Sequence, residues 1–136
     1  MSELSIRTLI DETERDLHAL QGSWKQIGHE ADGLSEPPDE HGAPGALTTF
    51  AGNQFVVRGV DGVLLLAGTF TIDASIRPKA ITWTDSMGPD QGKQLPAIYK
   101  LEEDFLVFIA GDEGSPRPTV FQTSIGQTMR TFVRQR

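Results

Sequence analysis

The chain has 136 residues, enough for one domain with a single ordinary core. It contains no cysteine, which excludes a disulfide scaffold, a thiolate zinc ribbon, a thiol nucleophile and a thiol redox pair. No apolar run approaches the length of a membrane-spanning helix.

The net charge is −7, and all of it arises in the first third of the chain. Residues 1–45 hold ten acids against three bases, whereas residues 46–136 balance at nine and nine. Such a charge disfavours nucleic acid and anionic membranes as partners, and it attracts a basic protein. Acidic surface that only keeps the chain dissolved accounts for the same composition. The segment Met1-Ser2-Glu3 carries no basic n-region and no apolar h-region, so a cytoplasmic location is expected.

Along the chain, Ile6, Leu9, Ile10, Thr13, Leu17 and Leu20 fall on one face of a 3.6-residue period and predict a helix over 3–20. Ser2 is placed to cap it, Glu3–Arg7 and Asp11–Arg15 are i,i+4 pairs, and Gly22 suits its end. Its apolar stripe is expected to dock on the protein's own body. Ser23 to Ala31 reads as a strand, and residues 32–46, dense in Gly, Pro and acids, read as a loop. Short apolar runs with turn signals then follow. They predict strands over Leu47–Phe50, Gln54–Gly59, Val63–Asp73, Lys79–Thr84, Leu95–Leu101, Phe105–Ala110, Thr119–Thr123 and Thr128–Arg134. Asp61-Gly62 signals a two-residue hairpin, and Gly68 signals a bulge or sharp bend. The run Phe105–Ala110 is apolar on both faces, as in a strand covered on both sides. The pattern predicts a mainly β protein, an antiparallel barrel or sandwich of eight or nine strands after one N-terminal helix. The helix would span 1–21 and the β domain 22–136, within one domain overall.

Gly22-Ser23-Trp24-Lys25, just after a helix, resembles the start of the lipocalin and fatty-acid-binding barrels. Taken in order, Glu30-Ala31-Asp32-Gly33, Gly68-Thr69-Phe70, Pro78-Lys79-Ala80-Ile81, Gly88-Pro89-Asp90-Gln91-Gly92-Lys93, Ile98-Tyr99 and Pro116-Arg117-Pro118-Thr119 resemble a family of uncharacterised bacterial lipocalin-like domains, over about residues 19–134. The resemblance implies an up-and-down barrel and no established activity. It also implies that the indole of Trp24 plugs one end, with a basic side chain of the last strand, Arg130 or Arg134, packed over it.

Catalytic chemistry finds little support. The three histidines, His18, His29 and His41, have no metal-ligand spacing, and His29 and Glu30 point to opposite faces of a strand. No nucleophile elbow is present, Glu102-Glu103-Asp104 reads as a solvated turn, and Gly88 to Lys93 lacks the residues of a phosphate loop. No catalytic residue, metal or cofactor is therefore assigned.

Two binding readings remain. The first is a non-catalytic protein-binding module, an immunity or inhibitor protein that blocks a toxic effector enzyme, possibly a nuclease, with its acidic surface. The contact residues would be Asp32, Glu36, Asp39 and Glu40, with Asp85 and Asp90 as a second patch. The protein would be a monomer or weak dimer. The alternative is a carrier of a small apolar ligand inside the barrel, lined by Phe70, Ile81, Trp83, Tyr99 and Phe108. Phe55, Ile72 and Phe121 are further expected inward residues, and so many bulky side chains can instead fill the interior.

Overall fold

The structure, a computed structural model, describes residues 12–31, 33–36, 46–111 and 114–135. Residues 12–20 form helix α1, and the remainder of the expected helix, with the Glu3–Arg7 and Asp11–Arg15 pairs, lies outside the described residues. Nine strands follow: β1 (Gly22–Ala31), β2 (Leu34–Glu36), β3 (Leu47–Ala51), β4 (Gln54–Arg58), β5 (Leu64–Asp73), β6 (Lys79–Asp85), β7 (Gln94–Glu102), β8 (Phe105–Gly111) and β9 (Gln127–Gln135). β1 pairs with β3, each strand from β3 onward pairs with the next, and β9 returns to β1. All these pairings are antiparallel. Eight strands thus close into an up-and-down barrel, and closure removes the open edges of the sheet. β2 folds back on the far half of β1, with His29 opposite Glu36.

Several sequence expectations are corrected. The span 32–46 is not all loop, because β2 lies within it. Asp61-Gly62 is not a two-residue hairpin. Arg58 pairs with Leu64 across a longer turn, which Gly59 closes by donating to the Val63 carbonyl at 3.0 Å. Thr119–Thr123 is not a strand but part of the long β8–β9 connection. That connection lies along the outside of the wall. Arg117 donates to the carbonyls of Ile81 (3.0 Å) and Ala97 (2.7 Å) and to the Thr82 hydroxyl (2.8 Å). Phe121 lies under Lys100, whose Nζ is 4.3 Å from the ring centre, so it is not an inward residue. Pro96 fits β7 because the ladder to β8 begins only at Ala97–Ala110, beyond its missing N–H.

Alternation sorts the side chains. Ile81 and Trp83 of β6, Phe70 and Ile72 of β5, and Tyr99 of β7 share the lumen face and join one core with Trp24, Phe50, Phe55 and Phe132. β8 is buried on both faces, with Leu106 inward and Val107 and Ile109 outward. Gly68 introduces no bulge. It pairs regularly with Phe55 on one side and Asp85 on the other. A Cβ there would collide with the Thr84 carbonyl and the Phe55 ring, so the residue is glycine for lack of room.

One end of the barrel is sealed by α1. Leu20 and Trp24 are completely buried, and the indole N–H donates to the Leu20 carbonyl at 2.8 Å. Arg134 is the arginine over Trp24, at 4.3 Å from the ring centre. Its guanidinium also donates to the carbonyls of Ala19 (2.5 Å) and Gln21 (3.0 Å) and to Asp104 (3.0 Å). Gln21 clasps the β3–β4 turn through both atoms of its amide, to Gly52 O (3.0 Å) and from Gly52 N (2.7 Å). On the other side of α1, Asp16 accepts from Lys79 (2.9 Å) and Tyr99 (2.7 Å), and Glu12 from Arg77 (2.6 Å). The helix docks on its own barrel, as its apolar stripe predicts.

Two substitutions test this account. Arg134→Lys keeps the charge but loses the planar fork, and it is expected to cost about 2 kcal/mol in urea unfolding. Stability equal to that of the wild type would mean that the clamp contributes nothing. Gly68→Ala is expected to cost about 1–3 kcal/mol by overpacking, read from the same unfolding midpoint.

Candidate functional site

With one end sealed, the chemistry left to the lumen lies toward the other. There the strands lead into the β1–β2 turn, the β4–β5 turn and the β6–β7 and β8–β9 connections. β1 carries a bulge at this half: Gln26 pairs with Phe132, but Gly28 pairs with Thr131, leaving Ile27 extra. The bulge resets the alternation, so both Gln26 and His29 share the lumen face, three residues apart. His29 is buried and pairs with Arg130 of β9. Glu30 points the opposite way and accepts from the Thr123 hydroxyl at 2.5 Å.

Arg130 also pairs with Phe108 of β8 and shares its face, so its side chain enters the lumen. It does not cover Trp24, which corrects one of the two candidates for that role. It donates to the Gln26 side-chain oxygen at 3.2 Å. Burial pulls its pKa below the ordinary arginine value. Two features distinguish its surroundings. Toward the open end the lumen residues beside it are small, with Ala110 paired to Thr128 and Thr128 to Ala31, and all three are partly exposed. On the inner side, the ring of Phe108 lies 4.9 Å from Trp83, whose indole N–H is buried without a hydrogen-bond partner.

The remaining predicted lining residues are spent on one another. Trp83 meets Phe50, Phe55 and Phe70 at ring-centre distances of 6.0, 5.1 and 5.9 Å, and Phe108 stacks on Phe132 at 5.7 Å. Ile81 and Tyr99 belong to the same cluster. The Tyr99 hydroxyl is directed to Asp16, and burial, reinforced by that carboxylate, raises its pKa. The central lumen is therefore filled by side chains.

Of the predicted acidic contacts, Asp32, Asp39 and Glu40 lie outside the described residues, as does His41, and Glu36 closes β2. Asp85 is not a surface group. It shares the lumen face with Trp83, is 8% exposed, and has a pKa raised by burial and then by the charge of Asp90. Asp90 is half-buried in the β6–β7 connection. The second patch is thus a close acidic pair with one member turned inward. Sequence reasoning missed Gln26 as a site residue and left Arg130 and Arg134 as equal candidates for the cover of Trp24, a role that Arg134 alone fills. Gln26 shares the face of Trp24 by simple alternation, and His29 joins it inside only through the bulge at Ile27, whose neighbouring Gly28 was its one sequence signal.

A shallow groove outside the barrel is lined by Glu14, Leu17, His18, Gln21 and Gly52, and its amide groups are already joined by the Gln21 clasp. Among the described residues no group of three His, Asp or Glu is placed to hold a metal, and no helix is long and apolar enough to cross a membrane. Comparison with protein-family models, with curated proteins and with solved structures gave no match.

The raised pKa of Asp85 has a defined sign. The folded state holds this proton more tightly than the unfolded chain, so the site adds stability as pH falls through its folded pKa. Asp85→Asn is expected to melt at a higher temperature than the wild type at about pH 7, with the gap narrowing toward about pH 4. A constant gap across this range in a thermal-melt series would show that the carboxylate is not strained.

Proposed function

We propose that the chain is a non-catalytic protein-binding module of the immunity or inhibitor kind, which engages a basic effector enzyme. One observation supports this reading above others. Val60, Val63, Leu64 and Leu65, at and beside the β4–β5 turn, are 80, 55, 39 and 41% exposed, a strip of large apolar side chains close together in sequence. The strip lies at the barrel end where β2 finishes and β3 begins, with Leu47 opposite Arg58. That is the junction into which the acid-rich stretch around Glu36 to Glu40 leads in sequence. Exposed apolar side chains suit a protein interface and would hold the complex, while the negative charge of the chain would steer encounter with a basic partner. The lipocalin-like resemblance is compatible with this role and supplies no activity of its own. The filled central lumen favours binding on the outside over transport of an apolar ligand within.

The test begins with capture from native lysate on immobilised protein and identification of the retained protein. It is decided by kinetics on the purified pair. The expected partner is basic, and its enzymatic activity is lost on mixing. Raising salt from about 50 to about 300 mM is expected to slow association about tenfold. The quadruple neutralisation of Asp32, Glu36, Asp39 and Glu40 is expected to remove that salt dependence. Leu64→Asp with Leu65→Asp is expected to accelerate dissociation. A partner that binds both variants as it binds the wild type would overturn the reading.

A further inference from the structure

Independently of any effector, we propose that the outer face of β1, β9, β8 and β7 is the interface of a two-fold dimer of this chain. The wet face of an antiparallel sheet normally carries polar side chains, yet two large apolar ones stand on this face, Phe105 at 41% and Ile27 at 47% exposed. Register shows what lies between them. Val133 is paired with Phe105 on one side and with Lys25 on the other, and Phe105 is paired in turn with Glu102. One row across four strands therefore reads Lys25, Val133, Phe105, Glu102. Their neighbours Trp24, Phe132, Leu106 and Leu101 pack into the core, so the row itself turns outward. The next outward row reads Gly28, Thr131, Val107, Lys100, with Ile27 beside its first member. A Cβ on Gly28 would lie 3.2 Å from the Thr131 side chain, which places both on this outer face.

The first row is self-complementary: cation, apolar, apolar, anion. A two-fold axis parallel to the strands, passing between β9 and β8, lays this row against its own reverse. Phe105 of each copy then meets Val133 of the other, and Lys25 of each meets Glu102 of the other. The same rotation sets Lys100 over Gly28, a long side chain over a position that has none, and Val107 against Thr131. Lys25 and Glu102 are both exposed, and their long side chains span the gap that opens as two convex walls curve apart. A partner of uniform charge would be attracted at one end of the row and repelled at the other, whereas a second copy matches both ends. Four strands at about 4.8 Å spacing give a face roughly 15 Å across, short of the ~800 Å² per partner of a standard interface. The dimer is therefore weak, with a dissociation constant on the order of 100 µM. β8 and β9 lie across the barrel from β4 and β5, so the apolar strip at 60–65 stays free in this dimer.

Sedimentation equilibrium between about 10 µM and about 1 mM tests this, and the wild type is expected to pass from monomer toward dimer over that range. Lys25→Glu sets anion against anion at both ends of the row, and Glu102→Lys sets cation against cation. Each variant alone is expected to associate at least about tenfold more weakly than the wild type. Both positions are on the surface, so both variants are expected to keep the wild-type melting temperature. An equimolar mixture of the two restores both pairs in the mixed dimer and is expected to associate at least as strongly as the wild type. In NMR spectra of the wild type, the amide signals of Lys25, Ile27, Phe105 and Val133 are expected to move with protein concentration. Four results would each overturn the proposal: a wild type that stays monomeric to about 1 mM, single variants that associate as the wild type does, a mixture no more associated than its components, and concentration-dependent shifts confined to residues 60–65.

Discussion

The contact on which the rest depends is the Arg134 guanidinium, seated on Trp24 and donating into the end of α1. An up-and-down barrel exists only if its last strand finds its first, and here that pairing joins residues more than a hundred positions apart, such as Trp24 and Arg134. Such a closure is expensive in chain entropy and needs a strong local reward. The guanidinium supplies one that involves four elements at once. It covers the β1 indole and satisfies the carbonyls of Ala19 in the last turn of α1 and of Gln21, acceptors that a helix end otherwise leaves open. It also holds the β7–β8 turn through Asp104. Barrel closure, helix docking and the sealing of one end are therefore one event.

Sealing that end determines what the other end can be. The large rings stand on both halves of the wall, Phe50, Phe55, Phe70 and Trp83 on β3 to β6 and Trp24, Tyr99, Phe108 and Phe132 on β1 and β7 to β9, and together they fill the centre. The inward polar groups Gln26, His29 and Arg130 stand on β1 and β9. Asp85 stands on β6, with its charge strained by burial.

Much of this was legible in the sequence because a strand with one wet face writes its pattern at period two. Lys79–Thr84 and Val63–Asp73 are examples, and their faces were assigned correctly. Trp24 as a plug was implied by the resemblance of Gly22-Ser23-Trp24-Lys25, after a helix, to the start of lipocalin barrels. Local pattern failed where a long-range contact sets the outcome. Thr119–Thr123 has strand-like composition, but Arg117 ties its connection to carbonyls of β6 and β7, and the segment lies across the wall instead of pairing in it. Phe121 follows it outward to Lys100. The Asp61-Gly62 signal was real as a turn, but the hairpin closes one step outside it, between Gly59 and Val63. Gly68 looked like a bulge because composition cannot distinguish a glycine needed for its torsions from one needed for its size.

The same limit explains the exchange between Arg130 and Arg134. Both lie on one face of one strand, and period-two reasoning gives them equal standing. Their difference comes from what faces them across β1, and a single extra residue, Ile27, decides that. Without the bulge, Gly28 would face the lumen and His29 the solvent, and β1 would offer Arg130 a bare backbone. With it, Gln26 and His29 both face the lumen beside Arg130, and the Gln26 oxygen accepts from its guanidinium. One extra residue in β1, invisible to period-two counting, therefore accompanies the separation of the two arginines: Arg134 lies on Trp24 at the sealed end, and Arg130 lies beside an amide and an imidazole in the other half of the lumen.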